Sequence, residues 1–211
     1  FDRQGFTEAD LIDFTPELRA RALEAIQGFR LSPNLFTPPS LTDAADGTRG
    51  LLSLPSSTGG ANWEGSAMDP ETGIIYVPSR TQLQSLSLAK NEASDIDLSI
   101  NGSVRVPRIE GLEIVKPPYG RVTAIDMNSG EHLWWVANAD TPARIANHPL
   151  LQGVDLPANG IPTRSGGLLT KSLLFVGEGI GLADASPKMR AFNKQPGSLV
   201  AVVDLPSTQT G

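Results

Sequence analysis

Gly59-Gly60-Ala61-Asn62-Trp63 runs almost at once into Ala67-Met68-Asp69-Pro70-Glu71-Thr72-Gly73-Ile74-Ile75-Tyr76-Val77. A glycine pair, an amide and an indole stand ahead of a strand–turn–strand pattern. Glycines let a backbone approach something flat or bulky, and the Asn–Trp pair offers one polar and one aromatic contact. Asp69, Pro70 and Gly73 are turn residues between two short runs, 66–68 and 74–78. A second unit with the same grammar, Ala124-Ile125-Asp126-Met127-Asn128-Ser129-Gly130, ends in Trp134. A third, Ala191-Phe192-Asn193-Lys194-Gln195-Pro196-Gly197 with Ala201, keeps the pattern but has Asn for Asp and no indole. Such repetition predicts small β-sheets in series, one of them carrying a ligand-facing loop.

Working outward, hairpins are expected at 121–126 with 132–137, at 167–170 with 173–177, and at 189–192 with 199–204. Residues 51–54 read as a further strand; 80–118 are ambiguous, since 83–89 could be a strand and 91–101 resembles an exposed acidic loop; 138–160 reads as a long loop. In the hairpin 121–136, alternation puts Val122, Ala124, Leu133 and Trp135 opposite Trp134, with small Ala124 leaving room for a neighbouring indole. The first part differs. Thr7 with Asp10 resembles a capping box. Thr15-Pro16-Glu17 supplies a hydroxyl cap, a proline at the first helical position and an acid in the first turn. Leu18, Ala22, Ile26 and Phe29 recur at helical spacing, and Gly28 and Pro33 lie where the helix would stop, which predicts a helix over 16–28. The chain thus divides into a helical and loop lead-in, 1–48, and strand repeats from 49 to 211.

Composition narrows the chemistry. The 211 residues are 39% hydrophobic and 19% charged, within the globular range. Twenty-one glycines and 17 prolines favour turns over long helices. A net charge of −6 without a basic stripe argues against a nucleic-acid-binding surface. The absence of cysteine removes disulfides, thiolate catalysis and cysteine-type zinc sites. No apolar run approaches the roughly 20 residues of a membrane span. A start at Phe1-Asp2-Arg3 without a leader pattern is expected of a processed or internal segment.

Taken singly, most polar residues have structural readings. Asp69 and Asp126 sit in turns, where they bond nearby backbone amides. His132 and His148 lack a third ligand at metal spacing. Arg164 and Lys171 read as solvated charge that could also steer an anionic ligand. Gly177-Glu178-Gly179-Ile180-Gly181 lacks the spacing and the βαβ context of a dinucleotide loop.

The pattern Ala-x-Asp-x-x-(Thr/Ser)-Gly-x-x-x-Trp at 124–134 resembles the tryptophan-docking repeat of quinoprotein dehydrogenases, eight-bladed β-propellers that use pyrroloquinoline quinone (PQQ). The 59–63 and 69–73 segments resemble the entry to one of their later blades. Phe1-Asp2-Arg3-Gln4-Gly5-Phe6-Thr7-Glu8, Leu35-Phe36-Thr37-Pro38-Pro39-Ser40, Pro117-Pro118-Tyr119-Gly120-Arg121 and Gly166-Gly167-Leu168-Leu169-Thr170 continue the match, nearest to the membrane-bound glucose dehydrogenase type. The resemblance implies an all-β propeller segment that oxidises a sugar, polyol or alcohol. Hydride would pass to the quinone, with Ca2+ polarising its carbonyl and an aspartate taking the proton. Those calcium and aspartate positions lie in earlier blades, so no catalytic or metal residue is assigned here.

The resemblance assigns cofactor contact to Asn62, with Trp63 shaping the same pocket, and a weaker contact to Ser165 and Gly166, where some members have Trp in place of Ser165. It also implies a periplasmic location, ubiquinone or a cytochrome as electron acceptor, and the remaining blades as partners. At about 40–50 residues per blade, the chain after its lead-in holds roughly three blades, as expected of the C-terminal part of a longer enzyme, inactive alone. A truncated form, a proteolytic product or one chain of a split enzyme would each fit. A competing reading is a cofactor-free propeller scaffold of the outer-membrane-assembly type, which binds proteins through its loops; the Gly-Gly-Ala-Asn-Trp loop speaks against it.

Overall fold

The computed structural model describes residues 2–102, 104–178 and 187–208. The stretch Gly179–Gly181 of the glycine-rich run considered above lies outside them. The chain divides into two compact units that do not follow chain order: 1–2, 59–81 and 117–211 form one, and 3–58 with 82–116 form the other.

The first unit holds two four-stranded antiparallel leaves. The first leaf runs Ala67–Asp69, Ile74–Arg80, Gly120–Asp126, His132–Ala137, each strand paired with the next. The second runs Gly167–Leu169, Leu173–Gly177, Lys188–Asn193, Leu199–Asp204 in the same meander. Both carry a register shift at the same place in the last hairpin, between Ala124 and Ile125 and between Ala191 and Phe192. The roughly three blades expected from residue counting resolve into two meandering leaves here, because residues 81–119 leave the first leaf between its second and third strands.

Three turns share one construction. Oδ1 of Asp69, Asp126 and Asn193 accepts the amide of Glu71, Asn128 and Gln195 at 3.1, 2.8 and 3.1 Å. Gly73, Gly130 and Gly197 then donate to the carbonyl of that first residue at 2.9, 2.7 and 2.9 Å. The glycines adopt φ of +73°, +78° and +70°, a left-handed backbone that costs other residues about 1–2 kcal/mol.

The leaves pack face to face. Ala67, Tyr76, Val122 and Ala124 of the first meet Leu174, Val176 and Phe192 of the second, with Trp134 and Val136 at the margin. Here the sequence reading needs correction: Ala124 pairs directly with Trp134, and Val122 with Val136, so the indole lies on the same face as Ala124. Trp135 and Leu133 face outward, 56% and 46% exposed. The register shift after Ala124 causes the difference, since one slipped residue exchanges the faces. Trp134 lies against Gly197, where an added Cβ would sit 2.6 Å from its ring. Its Nε1 and the Tyr76 hydroxyl both donate to the Lys194 carbonyl, at 3.3 and 3.0 Å, and the Lys194 ammonium pairs with Asp69 at 2.5 Å.

In the second unit, a helix at Pro16–Ala25 starts as expected: Thr15 Oγ1 accepts the Leu18 amide at 3.1 Å and Pro16 follows it. It stops three residues before the expected end, and Gly28 then takes φ +79°. Leu18, Ala22 and Ile26 are buried. Thr7 and Asp10 form the expected capping box. A mixed five-stranded sheet joins Arg30–Leu31, Leu51–Ser53, Gln84–Lys90, Ser40–Leu41 and Leu98–Asn101, and two of its pairings are parallel. The strand Leu98–Asn101 falls inside the expected acidic loop, pairing with Gln84–Lys90. A short hairpin, Arg108–Ile109 with Leu112–Glu113, completes the unit. In the first unit, the loop 138–160 contains a short helix, Ala143–Ala146, and a 3-10 turn, Pro149–Leu151.

Candidate functional site

The Gly-Gly-Ala-Asn-Trp loop leads into the first strand of the first leaf and is held from below. At Gly60 a Cβ would lie 2.1 Å from Asp2 Oδ2, so any other residue would push that carboxylate aside. The Gly60 carbonyl accepts the Arg80 amide at 2.8 Å. Asp2 Oδ1 in turn accepts from Thr81 Oγ1 at 3.0 Å and from Arg121 Nη2 at 2.7 Å, and that guanidinium also reaches Thr81 at 2.7 Å. The loop is thus tied to the ends of the two central strands, which meet where Arg80 and Gly120 pair.

Beyond that tie the loop turns outward. Asn62 is exposed and its Oδ1 accepts the Trp63 amide at 2.8 Å. Trp63 is 75% exposed, with the Arg164 guanidinium 5.2 Å from its ring centroid, a cation–π distance. Arg164 is ion-paired with the largely buried Glu64.

One cleft gathers Gly60, Asn62 and Glu64 from the loop, Ser79 and Arg80 from the strand end, and Ser165 from the segment before the second leaf. Asn62 and Ser165, far apart in sequence, are therefore brought together. Trp63 stands beside the cleft over Arg164, and Gly166 is buried behind Ser165. Ser165 Oγ is already engaged, accepting from Asn138 Nδ2 at 3.3 Å and lying 2.9 Å from Thr163 Oγ1, in a network buried to 7% exposure or less. The free space is about 10 Å3, room for one water. A ring-sized ligand would lie against this surface, which acts as a wall of donors.

The sequence reading missed Ser79, Arg80, Glu64 and Asp2. Arg80 ends the strand Ile-Ile-Tyr-Val-Pro-Ser-Arg, and a guanidinium terminating a largely buried strand was the available signal. Burial, then the neighbouring Arg164, pushes the Arg80 guanidinium below its usual range, and Glu64 opposes this. Two guanidiniums, Arg80 and Arg164, thus meet one carboxylate, Glu64, at the cleft. Ser79 Oγ is buried with no hydrogen-bond partner, a cost that a ligand acceptor would relieve.

Asp69 and Asp126 lie outside this wall and serve the turns; both carboxyls are held below their usual range, Asp69 chiefly by the Lys194 hydrogen bond and Asp126 chiefly by the Asn128 amide. Lys171 is an exposed turn residue. His148 Nδ1 caps the 3-10 turn by accepting from Leu150, and His132 is exposed on its strand. Among the described residues no three His, Cys, Asp or Glu side chains converge as a metal set.

A family profile described as "PQQ: Glucose/ethanol/alcohol dehydrogenase, beta-propeller domain" matches residues 1–211. The chain belongs to this PQQ dehydrogenase propeller family. It is 28% identical over 189 residues to the quinate/shikimate dehydrogenase (quinone) of Acinetobacter baylyi, covering 79% of this chain and 22% of that one. It is 28% identical over 200 residues to the glycerol dehydrogenase large subunit of Gluconobacter thailandicus, covering 81% and 25%. Among solved structures, a europium-containing methanol dehydrogenase aligns with a TM-score of 0.48 and 16% identity over 78% of this chain and 26% of the other. The chain spans about a quarter of the length of the curated relatives it matches, 22% and 25%. The 59–65 loop and its cleft bring donors, charge and an aromatic face together.

Proposed function

We propose that the chain forms one wall of the cofactor site of a PQQ-dependent dehydrogenase acting on a polyhydroxylated alcohol, polyol or sugar. The observation that carries this is the convergence of Asn62, Ser79, Arg80 and Arg164 on one wall with an exposed indole at its edge. PQQ is a planar quinone with three carboxylates, so it matches a surface that offers donors, surplus positive charge and an aromatic face. Bound there, the quinone would supply the acceptor for hydride from a substrate carbinol carbon. This chain's own residues would hold it: Asn62 donating from Nδ2, and the two guanidiniums offsetting its charge.

Both curated relatives are named for polyhydroxylated substrates, which supports that substrate class here. The glucose dehydrogenase branch is the finer proposal and rests on motif order, as do Ca2+ as a companion of the quinone, a periplasmic location, and ubiquinone or a cytochrome as acceptor. The test is Asn62→Ala in the full-length parent protein prepared without quinone. Titration with PQQ should give binding weaker by about tenfold, the usual scale of one hydrogen bond to a charged ligand. Unchanged affinity would refute the role.

A further inference from the structure

We infer that Asp2 is a positioning residue for the cofactor loop: its carboxylate fixes Gly60 against the paired strand ends and so sets where Asn62 stands. This rests on the reading of the wall given above and extends it to a residue sixty positions away in sequence from the loop it holds.

The geometry is specific. Asp2 is 5% exposed at its side chain and Arg121 is 13% exposed. Oδ1 collects Thr81, the residue after one central strand, and Arg121 from the other, while Oδ2 lies under Gly60 in the space a Cβ would take. The Gly60 carbonyl is bonded to Arg80, so carboxylate and strand grip one glycine from two sides. Asn62 is the second residue beyond it. A shift of the carboxylate therefore moves a short, doubly held segment whose next polar side chain is the proposed ligand donor. Burial pushes the Arg121 guanidinium down and Asp2 opposes this. The two side chains pair at 2.7 Å, so neutralising Asp2 takes this counter-ion from a largely buried guanidinium.

The test uses quinone-free full-length parent protein titrated with PQQ, with binding read by quenching of protein fluorescence. Asp2→Asn keeps the size of the side chain and removes the charge; Thr81→Val removes one donor and Thr81→Ser keeps it. Asp2→Asn and Thr81→Val should each weaken PQQ binding by about tenfold, and Thr81→Ser should stay within about twofold of wild type. Lys194→Met breaks the ion pair with Asp69, which is paired with Ile74, the end of the strand Ile74–Arg80 that lies about 20 Å from Arg80 at 3.3 Å per residue. It should lower the melting temperature and leave PQQ affinity alone. If Asp2→Asn binds like wild type while Asn62→Ala is weakened, the positioning role falls and the cofactor wall stands. If Lys194→Met weakens binding as much as Asp2→Asn, the effect is general stability and the inference is overturned. If Asn62→Ala is also without effect, the cofactor reading fails and takes this inference with it.

Discussion

Trp134 and Trp63 each stand near glycine and a short polar side chain, yet the fold uses them in opposite ways. Trp134 is pressed on Gly197, donates to the Lys194 carbonyl and stacks 5.7 Å from Tyr76, so it joins the two leaves. Trp63 is three-quarters exposed and touches a guanidinium beside the cleft. The residue type is the same; the difference is whether a strand register or a pinned loop delivers it. A strand places the indole where a neighbouring sheet must cover it, whereas a loop tied down at Gly60 turns its next residues outward.

Substitutions can break or sharpen that contrast. The largest effect is expected from Trp134→Ala, which should destabilise the folded protein by about 3 kcal/mol in urea unfolding, since it removes an indole that bridges the leaves at the margin of their shared core. An effect below about 1 kcal/mol would mean that the indole is not the joint. Next comes Gly197→Ala, at about 2 kcal/mol from the left-handed backbone and the Trp134 ring together. In a Trp134→Ala background its cost should drop to about half, and a double-mutant cycle measures the coupling.

The Asp69–Lys194 pair beside that joint should give a pH signature. The Asp69 carboxyl is held below its usual range by Lys194, so its stabilising share is present above about pH 4, the unfolded value, and is lost as the solution is acidified through the lower folded value. Asp69→Asn should therefore flatten the acid limb of stability measured between about pH 5 and pH 2, and an unchanged limb would remove the pair from the account. The smallest change in stability is expected from Trp63→Ala, within about 0.5 kcal/mol of wild type. That substitution should nevertheless weaken PQQ binding, and a protein destabilised as much as by Trp134→Ala would erase the distinction between the two indoles.

How much was legible follows from how local each signal is. The three turns could be read directly, since Asp69, Asp126 and Asn193 each bond an amide two residues on and a glycine four residues on closes the loop. The helix start was legible for the same reason, through Thr15 and Pro16. The faces of 132–137 were misread because a single register shift after Ala124 exchanges them, and no residue there announces a bulge. Two-residue strands such as Arg30–Leu31 and Ser40–Leu41 have no period to detect. At the site, Asn62 and Ser165 were named from the family pattern, but Asp2 reaches Thr81 and Arg121 across 79 and 119 positions, a pairing that only the folded chain creates.

The departure of residues 81–119 from the first leaf has an evolutionary consequence. The excursion starts and ends at one neck, where Arg80 pairs with Gly120 and the Thr81 amide bonds the Tyr119 carbonyl at 2.8 Å. Closing a loop grows costlier only logarithmically, about 0.6 kcal/mol per doubling of length. Segments of very different size can therefore be grafted at this neck while the strands on either side keep their register. A segment of another length at this neck need not disturb the leaf that carries the proposed cofactor wall.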